Sequence, residues 1–310
     1  MEANFKFIPL DFSWVALHPQ PIGVVQVIGG AFFGTFPTIF YRYLCQQIFN
    51  QGYTIVAIPY RFTFRHWSVS IGLVRDLVNL RIMMLEEAKR RGYEYQIYQE
   101  KPTDPKGNYY WLGHSLGSKY IALLELLTEL EFKAIEDVLG DCVGEDQQTE
   151  IKQDLQDVDL ESISLKNQAI LLLAPAITGI EAAIPVKAIA DLMKKLGLDV
   201  KPNVEQTHCL ILRSRLFNLF SLIALAKDNI AKDTVTWIKA NLSDRLIQCI
   251  ELPNRGHLAP LGWKNGDTQL ATKVIECLEQ FKQKCDQIAE HSTVKTPSTE
   301  LETNPIKTQS

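Results

Sequence analysis

Residues 108–120 read NYYWLGHSLGSKY, and the serine at their centre decides how the rest of the chain is understood. An apolar run, YYWLG (109–113), leads into Gly113-His114-Ser115-Leu116-Gly117, and YIALLELLTELEF follows with helical spacing. Small residues two positions before and after one serine suit a nucleophile on a sharp strand-to-helix turn. That turn lifts the hydroxyl above a sheet while neighbouring backbone passes close by. The helix behind it points its N-terminus at the site and favours negative charge developing there. The plainer alternative is a glycine-rich turn that happens to contain a serine.

The flanking sequence supplies the sheet. IGVVQVIGG (22–30), YTIVAIPY (53–60), QAILLLAPA (168–176) and LFSLIALA (219–226) are apolar on both faces. The first two lead through turn residues into helical patterns, one of them a long stretch over about 68–92. Such runs alternating with helices predict strands buried in a mostly parallel central sheet flanked by helices. A short piece, DFSWVALHP, suits an antiparallel edge. Two segments break the alternation, 131–167 and 178–215, and are read as lids or insertions, the second as two helices around GLDVKPN. Residues 286–310 end in STVKTPSTELETNPIKTQS, without aromatics, and are expected to form a disordered tail after a single folded domain over 1–285.

Composition removes other classes. With 32 basic and 36 acidic residues there is no positive excess to bind a phosphate backbone, so no nucleic-acid partner is expected. Between 136 and 161 ten Asp or Glu face the single Lys152, which predicts a solvated, mobile and extended cover without a calcium-type loop. The six cysteines include no C-x-x-C, so they read as reduced thiols and not as a disulfide framework or a zinc site; no metal is expected. No signal-peptide pattern opens the chain, and no apolar run reaches the ~18 residues of a membrane span. The expectation is a cytoplasmic protein without a transmembrane segment.

A serine needs a base. In the strand–serine–helix architecture the order is Ser, then Asp or Glu, then His. Three histidines follow Ser115. His208 lies in helix-like VEQTHCLILRS, His291 lies in the tail, and His257 stands in LPNRGHLAPLGW after the apolar run LIQCIELP (246–253). His257 is the base expected, since it follows the last strand. Asp228, two residues past LFSLIALA, is the orienting acid; Asp233 is the alternative, with a helix-capping carboxylate as its plainer reading, and Asp141 and Glu181 are outside candidates. The oxyanion is expected to meet the N–H of Leu116 and one from GGAFFG (29–34), at Ala31 or Phe32. Neither G-x-G-x-x-G nor a Gly-Lys-Ser/Thr ending marks GGAFFG as a phosphate loop. YRFTFRHWS (60–68) follows a strand's carboxyl end, where open sheets bind ligands, so Arg61, Phe62, Arg65 and Trp67 are candidates for lining a substrate pocket.

Taken in order, the serine turn, GGAFFG, Asp228 and His257 resemble the α/β-hydrolase superfamily. QPIGVVQVIGGAFFGTFP, WLGHSLGSKY and LPNRGHLAPLG resemble, more closely, an uncharacterised cyanobacterial and chloroplast family known only as a domain of unknown function (DUF1350-like), over roughly 14–285. The superfamily implies an α/β-hydrolase fold with lid insertions and hydrolase activity; the closer family adds no substrate. The expected activity is that of a serine hydrolase with a Ser115-Asp228-His257 triad, acting without a cofactor on an acyl ester or thioester, in keeping with Leu-, Ile- and Ala-rich lid segments. An acyltransferase with the same triad and a non-catalytic scaffold are the rivals, and a scaffold has no need of His257 or Asp228.

Overall fold

Gly23–Ile28 (β3) and Tyr109–His114 (β5) are buried at every residue, as apolar runs with two covered faces require. They pair in parallel at the middle of an eight-stranded sheet in the computed structural model, which describes residues 3–101, 104, 108–160, 164–177, 200–262 and 265–293. The other strands are β1 (Ile8–Leu10), β2 (Ser13–Ala16), β4 (Tyr53–Ile58), β6 (Ala169–Leu173), β7 (Phe220–Leu225) and β8 (Leu246–Leu252). Their order is β1-β2-β4-β3-β5-β6-β7-β8. Pairing is parallel from β4 to β8, and β1 and β2 form the antiparallel edge expected of DFSWVALHP.

Side chains on β5 show how the two faces are covered. Tyr110 stacks on Phe281 of the last helix, Thr268–Thr293, with ring centroids 6.3 Å apart. Gly113 is three residues further and so faces the other way, onto Ile121 of the elbow helix Leu116–Thr128. The long helix His66–Arg91 packs beside that elbow helix. Trp111, Tyr110, Tyr120, Phe49, Phe217 and Phe220 are among the largest fully buried side chains of the core.

Three expectations are corrected. The acidic segment is not extended: Ile135–Leu139 and Glu145–Asp154 are helices, and Val138, Leu139, Cys142, Val143 and Ile151 are buried. Burial of these apolar side chains outweighs the repulsion, to which the exposed pairs Arg65–Glu150 at 3.6 Å and Arg213–Asp141 at 3.5 Å add little relief. The cysteines are not all thiols, for Cys142 and Cys209 form a disulfide that ties this segment to the helix Val204–Arg213. The final helix runs on to Thr293, past the boundary set for the tail, because Ala289 still packs inward. Residues 294–310 and 178–199, which include most of the second lid segment and Glu181, lie outside the described residues. No described helix is long and apolar enough to cross a membrane.

Candidate active site

Four chain segments leave the carboxyl ends of parallel strands on one edge of the sheet, where an open α/β sheet forms its crevice. After β5 comes Ser115, with φ 55° and ψ −121°, a left-handed conformation unusual for a side chain other than glycine. The neighbouring strand secures it. The Ser115 N–H donates to the Leu173 carbonyl at 3.2 Å, and the Ser115 carbonyl accepts from Ala176 at 3.1 Å. Glycine at 117 is required by close approach, since a Cβ there would collide with the carbonyl oxygens of Ile28 and Gly29. Strain at one serine, over-determined by its surroundings, is a feature found at functional sites.

His257 follows β8 and Asp228 follows β7. Ser115 Oγ lies 2.8 Å from His257 Nε2, and His257 Nδ1 lies 2.7 Å from Asp228 Oδ2. A carboxylate only accepts, so Nδ1–H donates to Asp228 and Nε2 is left to accept from the serine hydroxyl. The other oxygen of Asp228 accepts the N–H groups of Ile230 and Ala231 at 2.8 and 3.0 Å. Burial pushes the Asp228 carboxyl up, but the His257 hydrogen bond, the Ala231 N–H, the charge on His257 and the Ile230 N–H together hold it below the ordinary carboxylate value.

The alternative acids stand elsewhere. Asp233 sits in the first turn of the helix Lys232–Asn241, whose capping residue is Ala231 and has no side-chain bond. Asp233 is therefore inside the first turn and not at the cap, and the turn before the helix is closed by Asp228, whose side chain accepts the N–H groups of Ile230 and Ala231. Asp141 is at the surface beside Arg213. His208 is packed, as a plain reading predicts, with its ring stacked on Trp237 at 3.8 Å.

The loop after β3 lies against the nucleophile, for a Cβ on Gly30 would sit 3.0 Å from Ser115 Cβ and 3.4 Å from its Oγ. Among the described residues, the N–H groups of Leu116, Ala31 and Phe32 have no protein acceptor. Phe32 is half exposed with φ 59°, and its ring rests on Phe62 at 4.8 Å. Arg61 and Phe62 line a cleft of about 580 Å³ with Tyr60, Val69 and Leu73. Arg65 turns to Glu150 instead, and Trp67 is buried in the core. The four pocket candidates thus divide into two that line the cleft and two that do not.

Two features escaped the sequence reading. His114, 1% exposed, contacts both Tyr41 and the base-bearing loop. Lys119, one turn along the elbow helix, is buried with its Nζ 2.6 Å from the Pro202 carbonyl, and burial pulls its pKa down to about 7. His114 fills a position of the serine turn that accepts any residue, and Lys119 lies just past it, so their types carry no signal in the sequence.

Residues 7–135 match a family described as "Protein of unknown function (DUF1350)". Among solved structures, the chain is similar to an inhibited esterase B from Lactobacillus rhamnosis, at 15% identity and a TM-score of 0.52, covering 87% of this chain and 81% of that one. It is also similar to a putative carboxylesterase from Lactobacillus plantarum, at 15% identity and a TM-score of 0.52, covering 89% of this chain and 98% of that one. No curated protein matches it in sequence. The sheet order, the strand–serine–helix turn and these likenesses agree: the chain has the α/β-hydrolase fold, and its residues 7–135 are similar to the DUF1350 family.

Proposed function

We propose that the chain is a serine hydrolase that cleaves an acyl ester or thioester. The observation that carries this reading is the unbroken line from Ser115 Oγ through His257 to Asp228, two hydrogen bonds of 2.8 and 2.7 Å. Ser115 Oγ bonds to the acyl carbonyl carbon as its proton passes to His257 Nε2. Asp228 keeps the imidazole in the accepting tautomer and stabilises the imidazolium. The Leu116 N–H, with that of Ala31 or Phe32, receives the developing oxyanion. His257 then protonates the leaving oxygen or sulfur as the tetrahedral intermediate collapses. Water, deprotonated by the same imidazole, releases the acid and restores Ser115.

Apolar groups beside the line favour an apolar acyl chain. Phe32 and Phe62 pack together next to the oxyanion loop, and Leu258, adjacent to the base, is 54% exposed. A scaffold would have no use for the positive φ at Ser115 or for a carboxylate shared between His257 and a turn. The test is hydrolysis of p-nitrophenyl esters of graded acyl length by wild type and Ser115→Ala. Wild type should turn over with a preference among chain lengths, and the variant should lose all but background at an unchanged melting temperature. Equal rates in the two proteins would refute the reading.

A further inference from the structure

We propose that Tyr41 and His114 are positioning residues, which lock the oxyanion loop to the base-bearing loop through the residue preceding the nucleophile. The inference rests on reading Ser115, His257 and Asp228 as the catalytic machinery. Its basis is a continuous chain of three hydrogen bonds. The Gly30 N–H reaches Tyr41 Oη at 2.7 Å, Tyr41 Oη lies 2.7 Å from His114 Nδ1, and His114 Nε2 lies 3.0 Å from the His257 carbonyl oxygen.

The two ends fix the direction of every bond. An amide N–H can only donate and a carbonyl oxygen can only accept. Tyr41 therefore accepts from Gly30 and donates its own hydrogen to Nδ1, and His114 donates Nε2–H to the His257 carbonyl. That arrangement demands a neutral imidazole in one tautomer. An imidazolium would carry N–H on both nitrogens and leave the Tyr41 hydrogen without an acceptor. Both side chains are buried, so a broken link leaves polar groups unpaired away from water.

The chain acts on two catalytic elements together. At one end it fixes the Gly30 peptide, directly before the Ala31 N–H and against Ser115. Tyr60 grips the preceding carbonyl, its hydroxyl donating to Gly29 O at 3.0 Å. At the other end it fixes the backbone of His257 itself. The His114 and His257 rings are 5.0 Å apart. A neutral His114 places no like charge beside His257 when that ring takes the serine proton.

The test uses the full chain and a fluorophosphonate, so no natural substrate is needed. Inactivation is resolved into a maximal rate and a half-saturation concentration for wild type, Tyr41→Phe, His114→Leu and His114→Gln, below the unfolding range of each. Tyr41→Phe and His114→Leu should each lower the maximal rate roughly 5- to 100-fold at unchanged half-saturation. The double variant should be no slower than the slower single one, since both break the same chain. His114→Gln, whose amide can accept and donate, should recover part of the loss. Full rates in folded Tyr41→Phe, or losses that multiply in the double variant, would overturn the proposal. An unreactive wild type would instead sink the catalytic reading, and the relay with it. Should the variants fail to fold, ¹⁵N shifts of the wild-type ring at neutral pH decide. A neutral ring protonated at Nε2 is expected, and an Nδ1–H tautomer or an imidazolium would overturn the assignment.

Discussion

Asp228 serves two partners at once: its Oδ2 lies 2.7 Å from His257 Nδ1, and its Oδ1 accepts the N–H groups of Ile230 and Ala231. The carboxylate cannot rotate without breaking the turn, so the imidazole it faces is held in one orientation. Asp233, five residues later, stands inside the first turn of the helix Lys232–Asn241 and takes no part in this arrangement.

Asp228→Asn should lower turnover by up to about 10⁴-fold. The two turn N–H groups claim the amide oxygen, which leaves the amide NH₂ against His257 Nδ1. That NH₂ selects the imidazole tautomer with its hydrogen on Nε2, which cannot accept the serine proton. Asp233→Asn should leave turnover unchanged and cost at most about 1 kcal/mol, through the weaker charge at its helix N-terminus. Steady-state kinetics and thermal melts on the two variants separate these outcomes; a collapse of activity confined to Asp233→Asn would reassign the acid.

Stability should fall as pH drops from about 6.5 toward 3. Burial, and then the neighbouring positive charge on His257, pull the pKa of His114 down to about 3. In that window the unfolded chain binds a proton at His114 that the folded chain refuses, so acid favours unfolding. His66, lowered by burial and then by Lys119, acts in the same direction. The Asp228 carboxylate adds to the loss below its ordinary range, because its folded pKa is depressed and its stabilisation vanishes on protonation. Denaturant titrations across this range should show a shallower pH slope in His114→Gln than in wild type. Parallel slopes would mean that His114 is protonated in the native state.

Gly117→Ala should prevent folding or lower the melting temperature severely, since the added methyl would strike the backbone carbonyls of Ile28, at the end of β3, and of Gly29 just after it. Gly72→Ala is the control. It lies in the helix His66–Arg91 with nothing within 4 Å of a new Cβ, and alanine there should raise stability by roughly 0.5–1 kcal/mol. Circular-dichroism melts on the pair provide the comparison.

Alkylation of the denatured, unreduced protein should modify Cys45, Cys249, Cys277 and Cys285 and spare Cys142 and Cys209. The bridge spans 67 residues, and closing a loop of that length stabilises by roughly 4 kcal/mol in the chain-entropy treatment. Cys142→Ala with Cys209→Ala should therefore melt lower than wild type. Six alkylated cysteines by intact mass would show that the bridge does not form.

The buried strands were legible because a strand covered on both faces must be largely apolar, and β3, β4, β5, β6 and β7, buried at every residue, are. Ser115 and His257 could be picked out because a tight turn between strand and helix demands small neighbours, and few histidines follow it. What stayed hidden depends on contacts between distant segments. Tyr41 meets His114 across 73 positions, and Cys142 meets Cys209 across 67. The fold of the acidic segment is of the same kind, since the helices His66–Arg91 and Val204–Arg213, against which it packs, lie outside it. Trp67 was misread for a related reason: an aromatic residue near a strand's carboxyl end can turn into the core as readily as into a pocket.

The central claim is that Ser115 is a nucleophile activated by His257. Its most direct test is exposure of the full chain to a fluorophosphonate, followed by peptide mass mapping. One equivalent should be incorporated, on Ser115 and no other serine, with none taken up by Ser115→Ala and little by His257→Ala. Absence of labelling in folded wild type, or a label that persists in Ser115→Ala, would contradict it.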